Sequence, residues 1–81
     1  MPTLSYSDAI RLEKGDLVYL EPFYFGSLAR QGKVNLSKPY RVVSVTDWEI
    51  QDNPAALVHV DVEGDIMQLA PSRLNSNPPE T

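Results

Sequence analysis

With 81 residues the chain has room for one domain around one small core. A hydrophobic content of 42% and a charged content of 22% exclude wholesale disorder, and a net charge of −4 argues against a generic polyanion binder. There is no cysteine, which excludes a disulfide framework, a thiolate nucleophile and a cysteine-based zinc site.

The first residues, Met1-Pro2-Thr3-Leu4-Ser5-Tyr6, lack the charged and apolar regions of a secretory signal, and no apolar run reaches the length of a membrane span. The expectation is a soluble, cytoplasmic protein without membrane insertion. The glycosylation acceptor pattern Asn35-Leu36-Ser37 has no meaning in that setting. Residues 1–13 are predicted to form a lead segment. From Ser7, the chain up to Gly15 fits either a short helix capped by Ser7 and stopped by Gly15, or a leading strand with Ile10 and Leu12 inward.

From residue 14 onward the apolar pattern repeats every two residues, which predicts strands. Asp16 to Glu21 follows the turn signal Lys14-Gly15 and is ended by Pro22, which cannot donate to a ladder. A long loop is predicted over Phe23 to Lys38. Tyr40 to Thr46, rich in β-branched residues, is the second strand, and Asp52-Asn53-Pro54 is a turn cluster. Leu57 to Val62 alternates cleanly and places Val58, Val60 and Val62 on one buried face. Glu63-Gly64-Asp65 reverses the chain with Gly64 at positive φ, Ile66 to Leu69 returns as a hairpin partner, and Pro71 to Leu74 fits a 3₁₀ turn. Asn75 to Thr81 offers no apolar side chain beyond its prolines and is predicted to be a disordered tail. The predicted organisation is a lead segment (1–13), an all-β barrel of four to five strands with a long loop after the first strong strand (14–74), and the tail (75–81).

Two phrases carry a resemblance. Lys14-Gly15-Asp16-Leu17-Val18-Tyr19-Leu20-Glu21 resembles the "KGDxLxxLE" phrase of SH3 domains, and Gly64 through Ala70-Pro71-Ser72 to Leu74 resembles their closing "G…xPSxxV" phrase, in the same order. The "ALYDY" signature is absent and Trp48 has no second tryptophan beside it, so proline-rich peptide binding does not carry over. The resemblance implies the broader SH3-like small β-barrel superfamily, a scaffold used by KOW-type ribosomal and transcription modules and by small accessory subunits of photosynthetic electron-transfer complexes. Fold alone assigns no function.

The chemistry-bearing residues are sparse. His59 is the only histidine, and with Asp61 and Glu63 it forms a row spaced roughly 6.5–7 Å along a strand, which converges poorly on a metal ion. No glycine-rich phosphate loop, nucleophile elbow or HExxH pattern is present. The expectation is a protein without enzymatic activity, metal or cofactor.

The charge distribution is more informative. No acid lies between Glu21 and Asp47, where Arg30, Lys33, Lys38 and Arg41 all fall together with Phe23, Tyr24, Phe25 and Tyr40. From Asp47 to Asp65 there are six acids and no lysine or arginine. A barrel with one positive and one negative edge steers an oriented protein partner. The expected contact residues are Tyr24, Phe25, Arg30, Lys33, Lys38, Tyr40, Arg41 and Trp48, which join aromatic surface to positive charge. The partner expected is a protein with an acidic surface. The alternative is a KOW-like nucleic-acid-binding module of transcription or translation, whose bases would stack on the same aromatics. Unpaired barrel edges leave the oligomeric state open.

Overall fold

A computed structural model of the chain describes residues 3–78. Five antiparallel strands form a curled half-barrel, the all-β architecture of a small SH3-like barrel. The strands are β1 (Leu17–Leu20), β2 (Tyr40–Ile50), β3 (Asn53–Val62), β4 (Asp65–Leu69) and β5 (Leu74–Asn75), in the order β4-β3-β2-β1-β5. The short β1 sits between β2 and β5, so the first and last strands close one side of the core.

The alternation of β3 is realised as read: Val58, Val60 and Val62 are buried, while Asp61 is exposed. They pack with Val18, Leu20, Val42, Leu69 and Leu74 into one core. The β3–β4 reversal is a two-residue turn, Glu63-Gly64, with both residues at positive φ and Val62 paired to Asp65. A bulge between Val42 and Ser44 bends β2 where it leaves β1 and continues as a longer hairpin with β3. That hairpin turns at Gln51-Asp52, so Asn53 and Pro54 belong to β3 and not to the turn cluster predicted there.

Three expectations are corrected. The connection after β1 is long, but its first half is a nine-residue helix, α2 (Pro22–Arg30), where a loop was expected. Pro22 occupies the first turn, where its missing N–H costs nothing, and Phe25, Leu28 and Ala29 recur at helical spacing against the core. In the lead segment, α1 (Tyr6–Ala9) is a single turn capped by Ser5, not Ser7, and ends well before Gly15. Ser5 and Asp8 form a reciprocal capping box, and Ala9 is fully buried. The predicted tail begins one residue too early: Asn75 is a buried member of β5, paired with Tyr19. Residues 76–78 are exposed, and the end of that predicted tail, residues 79–81, lies outside the described residues.

Candidate protein-interaction surface

Glu21 sets the position of α2. Its two carboxylate oxygens accept from the backbone N–H groups of Phe23 at 2.6 Å and Tyr24 at 2.8 Å, satisfying donors that a helix start leaves unpaired. Phe25 is then drawn inward and is 1% exposed, whereas Phe23, on the opposite side of the same turn, is 93% exposed. Phe25 is therefore a core residue and is corrected from the set of contact residues. Tyr24 lies at the helix edge, 51% exposed. Its ring meets Phe25 edge-on at 4.9 Å, and the Arg73 guanidinium stacks over it at 4.2 Å from the centroid.

Phe23 and Arg30 are seven residues apart, two helical turns, and share the outward stripe of α2. Gly26 stands between them, and a Cβ there would lie 3.9 Å from Arg30 Nη1, so the guanidinium folds back along the helix over Gly26. Lys33 follows in the exposed segment after α2. The outer face of the helix and its continuation thus carry two exposed aromatic rings and two cations, with Arg73 alongside.

The remaining predicted residues fall elsewhere. Tyr40 is 3% exposed and is corrected from an exposed contact to a core residue with a polar tip. Its hydroxyl donates to Glu63 Oε1 at 2.8 Å and accepts from the Asn35 N–H at 2.9 Å. Lys38 Nζ reaches the same carboxylate oxygen at 3.1 Å, the one ion pair among the described residues. This network ties the segment after α2 to the β3–β4 turn. It borders an open groove of about 550 Å³ walled by Ala29, Lys33, Val34, Leu36, Lys38 and Glu63, and a second of about 240 Å³ beside Tyr40, Arg41 and Asp61. The Tyr40 and Lys38 donors hold the Glu63 carboxyl below its usual range, and Glu63 in turn raises Lys38. Burial, more than the neighbouring carboxylate, raises the Tyr40 phenol.

The polarity expected between the two charged stretches is accordingly incomplete. Glu63 neutralises Lys38, and Asp61 lies directly across from Arg41 in the β2–β3 ladder. Trp48 is 38% exposed on the outer hairpin, roughly 20 Å along β2 from Arg41 at strand spacing, and does not join the basic residues. His59 shares a 2.9 Å hydrogen bond with Thr46 Oγ1.

Two members of the α2 surface, Phe23 and Arg73, are absent from the sequence-based set. Phe23 was detectable as the residue two before the inward Phe25 once the segment is read as a helix; Arg73, 49 positions from Tyr24, carries no local signal. No family model, curated protein or solved structure matches the chain. Among the described residues no helix is long and apolar enough to cross a membrane.

Proposed function

We propose that the protein is a non-enzymatic interaction module or small accessory subunit that binds a protein partner through the outer face of α2. The observation that carries this reading is Phe23. A phenyl ring that is 93% exposed, on a helix held by a carboxylate cap and an inward Phe25, is surface presented rather than surface left over. Arg30 shares its outward stripe, Tyr24 with Arg73 stacked over it lies beside it on the first turn, and Lys33 follows beyond the helix end, a combination of aromatic surface and positive charge suited to an acidic protein surface with an apolar pocket. Arg30 and Lys33, unlike Lys38, have no acidic partner among the described residues.

The test is capture of partners from a lysate by the immobilised chain, with and without nuclease, beside the Phe23→Ser and Arg30→Glu/Lys33→Glu variants. Proteins retained after nuclease and lost with either variant are expected, while both variants keep the wild-type melting temperature to within a few degrees. Material retained only without nuclease would replace this reading with the nucleic-acid one, in which the same rings stack bases.

A further inference from the structure

The outer part of the β2–β3 hairpin is an arm with an unused edge. β1 pairs with β2 only at Leu17↔Arg41 and Val18↔Tyr40, and the hydrogen bonds between Val42 and the Gly15-Asp16 turn, both 2.8 Å, extend that contact by one residue. From Ser44 to Ile50, β2 pairs with β3 on one side, and no strand among the described residues pairs with its other side. A strand edge of this length holds several free N–H and C=O groups in ladder geometry, a template for another extended chain.

The side chains along the edge define what such a chain must be. Trp48 and Ile50 project on the outer face of the arm, 38% and 59% exposed, with Ala55 opposite Trp48. On the other face stand Asp47 and Glu49, and the turn adds Asp52; no lysine or arginine lies between Asp47 and Asp65 to balance them. A second copy of the arm, added antiparallel across a two-fold axis, would bring both sets of carboxylates together, and like charges in register oppose pairing. Lysine or arginine side chains on alternate positions would meet these carboxylates, while intervening apolar residues cover Trp48 and Ile50.

We infer that the free edge of β2 between Ser44 and Ile50 takes an extended, lysine- or arginine-rich segment of a partner protein as an added strand. This surface is distinct from that of α2 and has the opposite charge, so one molecule can join an acidic partner to a basic one.

Trp48 is the only tryptophan and reports on the site directly. The full chain is titrated with an end-blocked octapeptide of alternating lysine and valine while tryptophan emission is followed. A saturable blue shift is expected. The triple variant Asp47→Asn, Glu49→Gln, Asp52→Asn is expected to weaken it about tenfold, and Arg30→Glu/Lys33→Glu to leave it unweakened. A fully N-methylated version of the peptide, which has no backbone donors, is expected to give no saturable shift. The inference is overturned if millimolar lysine–valine peptide leaves the emission unchanged, or if a glutamate–valine peptide shifts it equally. It is likewise overturned if the N-methylated peptide binds as well, or if the blue shift follows protein concentration without peptide, the signature of a second copy on the edge.

Discussion

The Tyr40 hydroxyl donates a 2.8 Å hydrogen bond to Glu63, 23 residues away, and the ring that carries it is buried while the carboxylate is exposed. The contact fastens the start of β2 to the β3–β4 turn, and through the Asn35 N–H it fixes the chain that leaves α2. Tyr40→Phe keeps the packed ring and removes only the oxygen. It is expected to cost about 1 kcal/mol in urea unfolding, the usual net worth of one hydrogen bond, because the charge on the exposed Glu63 is screened by water. Unchanged stability would mean that water satisfies Glu63 and Asn35 equally well.

The same network sets the pH limits of stability. Glu63 is held below its ordinary value of 4.5 by Tyr40 and Lys38, and Asp8 below 3.8 by Ser5 at the start of α1. Carboxyls depressed in the folded state stabilise it above those values, and that stabilisation is lost as pH falls through the lowered ones. Tyr40 and Lys38 are raised from 10.0 and 10.5, so their contributions are intact below pH 10.0 and disappear as pH rises through the raised values. Urea midpoints are therefore expected to be flat from about pH 5 to pH 9 and to fall on both sides. In Glu63→Gln the acid fall is shallower. A fall confined to neutral pH would contradict this assignment.

The inner face of the sheet was legible in the sequence because alternation is a local signal: Val58, Val60 and Val62 declare it within five residues. The extra length of β2 and β3 was not, since Asp47, Glu49, Asn53 and Pro54 are of types depleted in strands and are paired by the hairpin itself. Helix α2 was hidden for a related reason. Phe-Tyr-Phe favours strands and Gly26 disfavours helix, and the burial of Phe25 with the Glu21 cap overrides both. The charged residues were legible one by one, but Glu63 reaching Lys38 and Arg73 reaching Tyr24 are contacts made by the barrel's closure, which no local pattern encodes.

Val60 tests the inward face. It is fully buried between Val42 on β2 and Met67 on β4. Val60→Asp places a carboxylate where it has neither water nor a cation, and its cost is expected to exceed about 4 kcal/mol, comparable with the whole stability of a domain this size. The variant is expected to lack dispersed amide resonances at 25 °C, whereas Val60→Ala retains them. A folded Val60→Asp protein would mean that the register of β3 is shifted by one residue.

Glu21 links the local capping of α2 to the proposed interaction surface. Its carboxylate caps the start of this helix, and both Phe23 and Tyr24 bond to it through their backbone N–H groups. In Glu21→Ala the two N–H groups turn to water, and the first helical turn, which holds the exposed phenyl, frays. The expected global cost is about 1 kcal/mol, the usual value for a lost side-chain cap, with a small loss of helical signal in far-UV circular dichroism. Because Phe25 still anchors the second half of the turn, the barrel remains folded. Capture of a protein partner is expected to fall more than stability does, since the ordering of Phe23 must then be supplied on binding. Glu21→Asp keeps the charge on a shorter arm and is expected to restore part of that loss. If Glu21→Ala captures partner as well as wild type while its helix is measurably frayed, a preformed α2 start is not what the partner recognises.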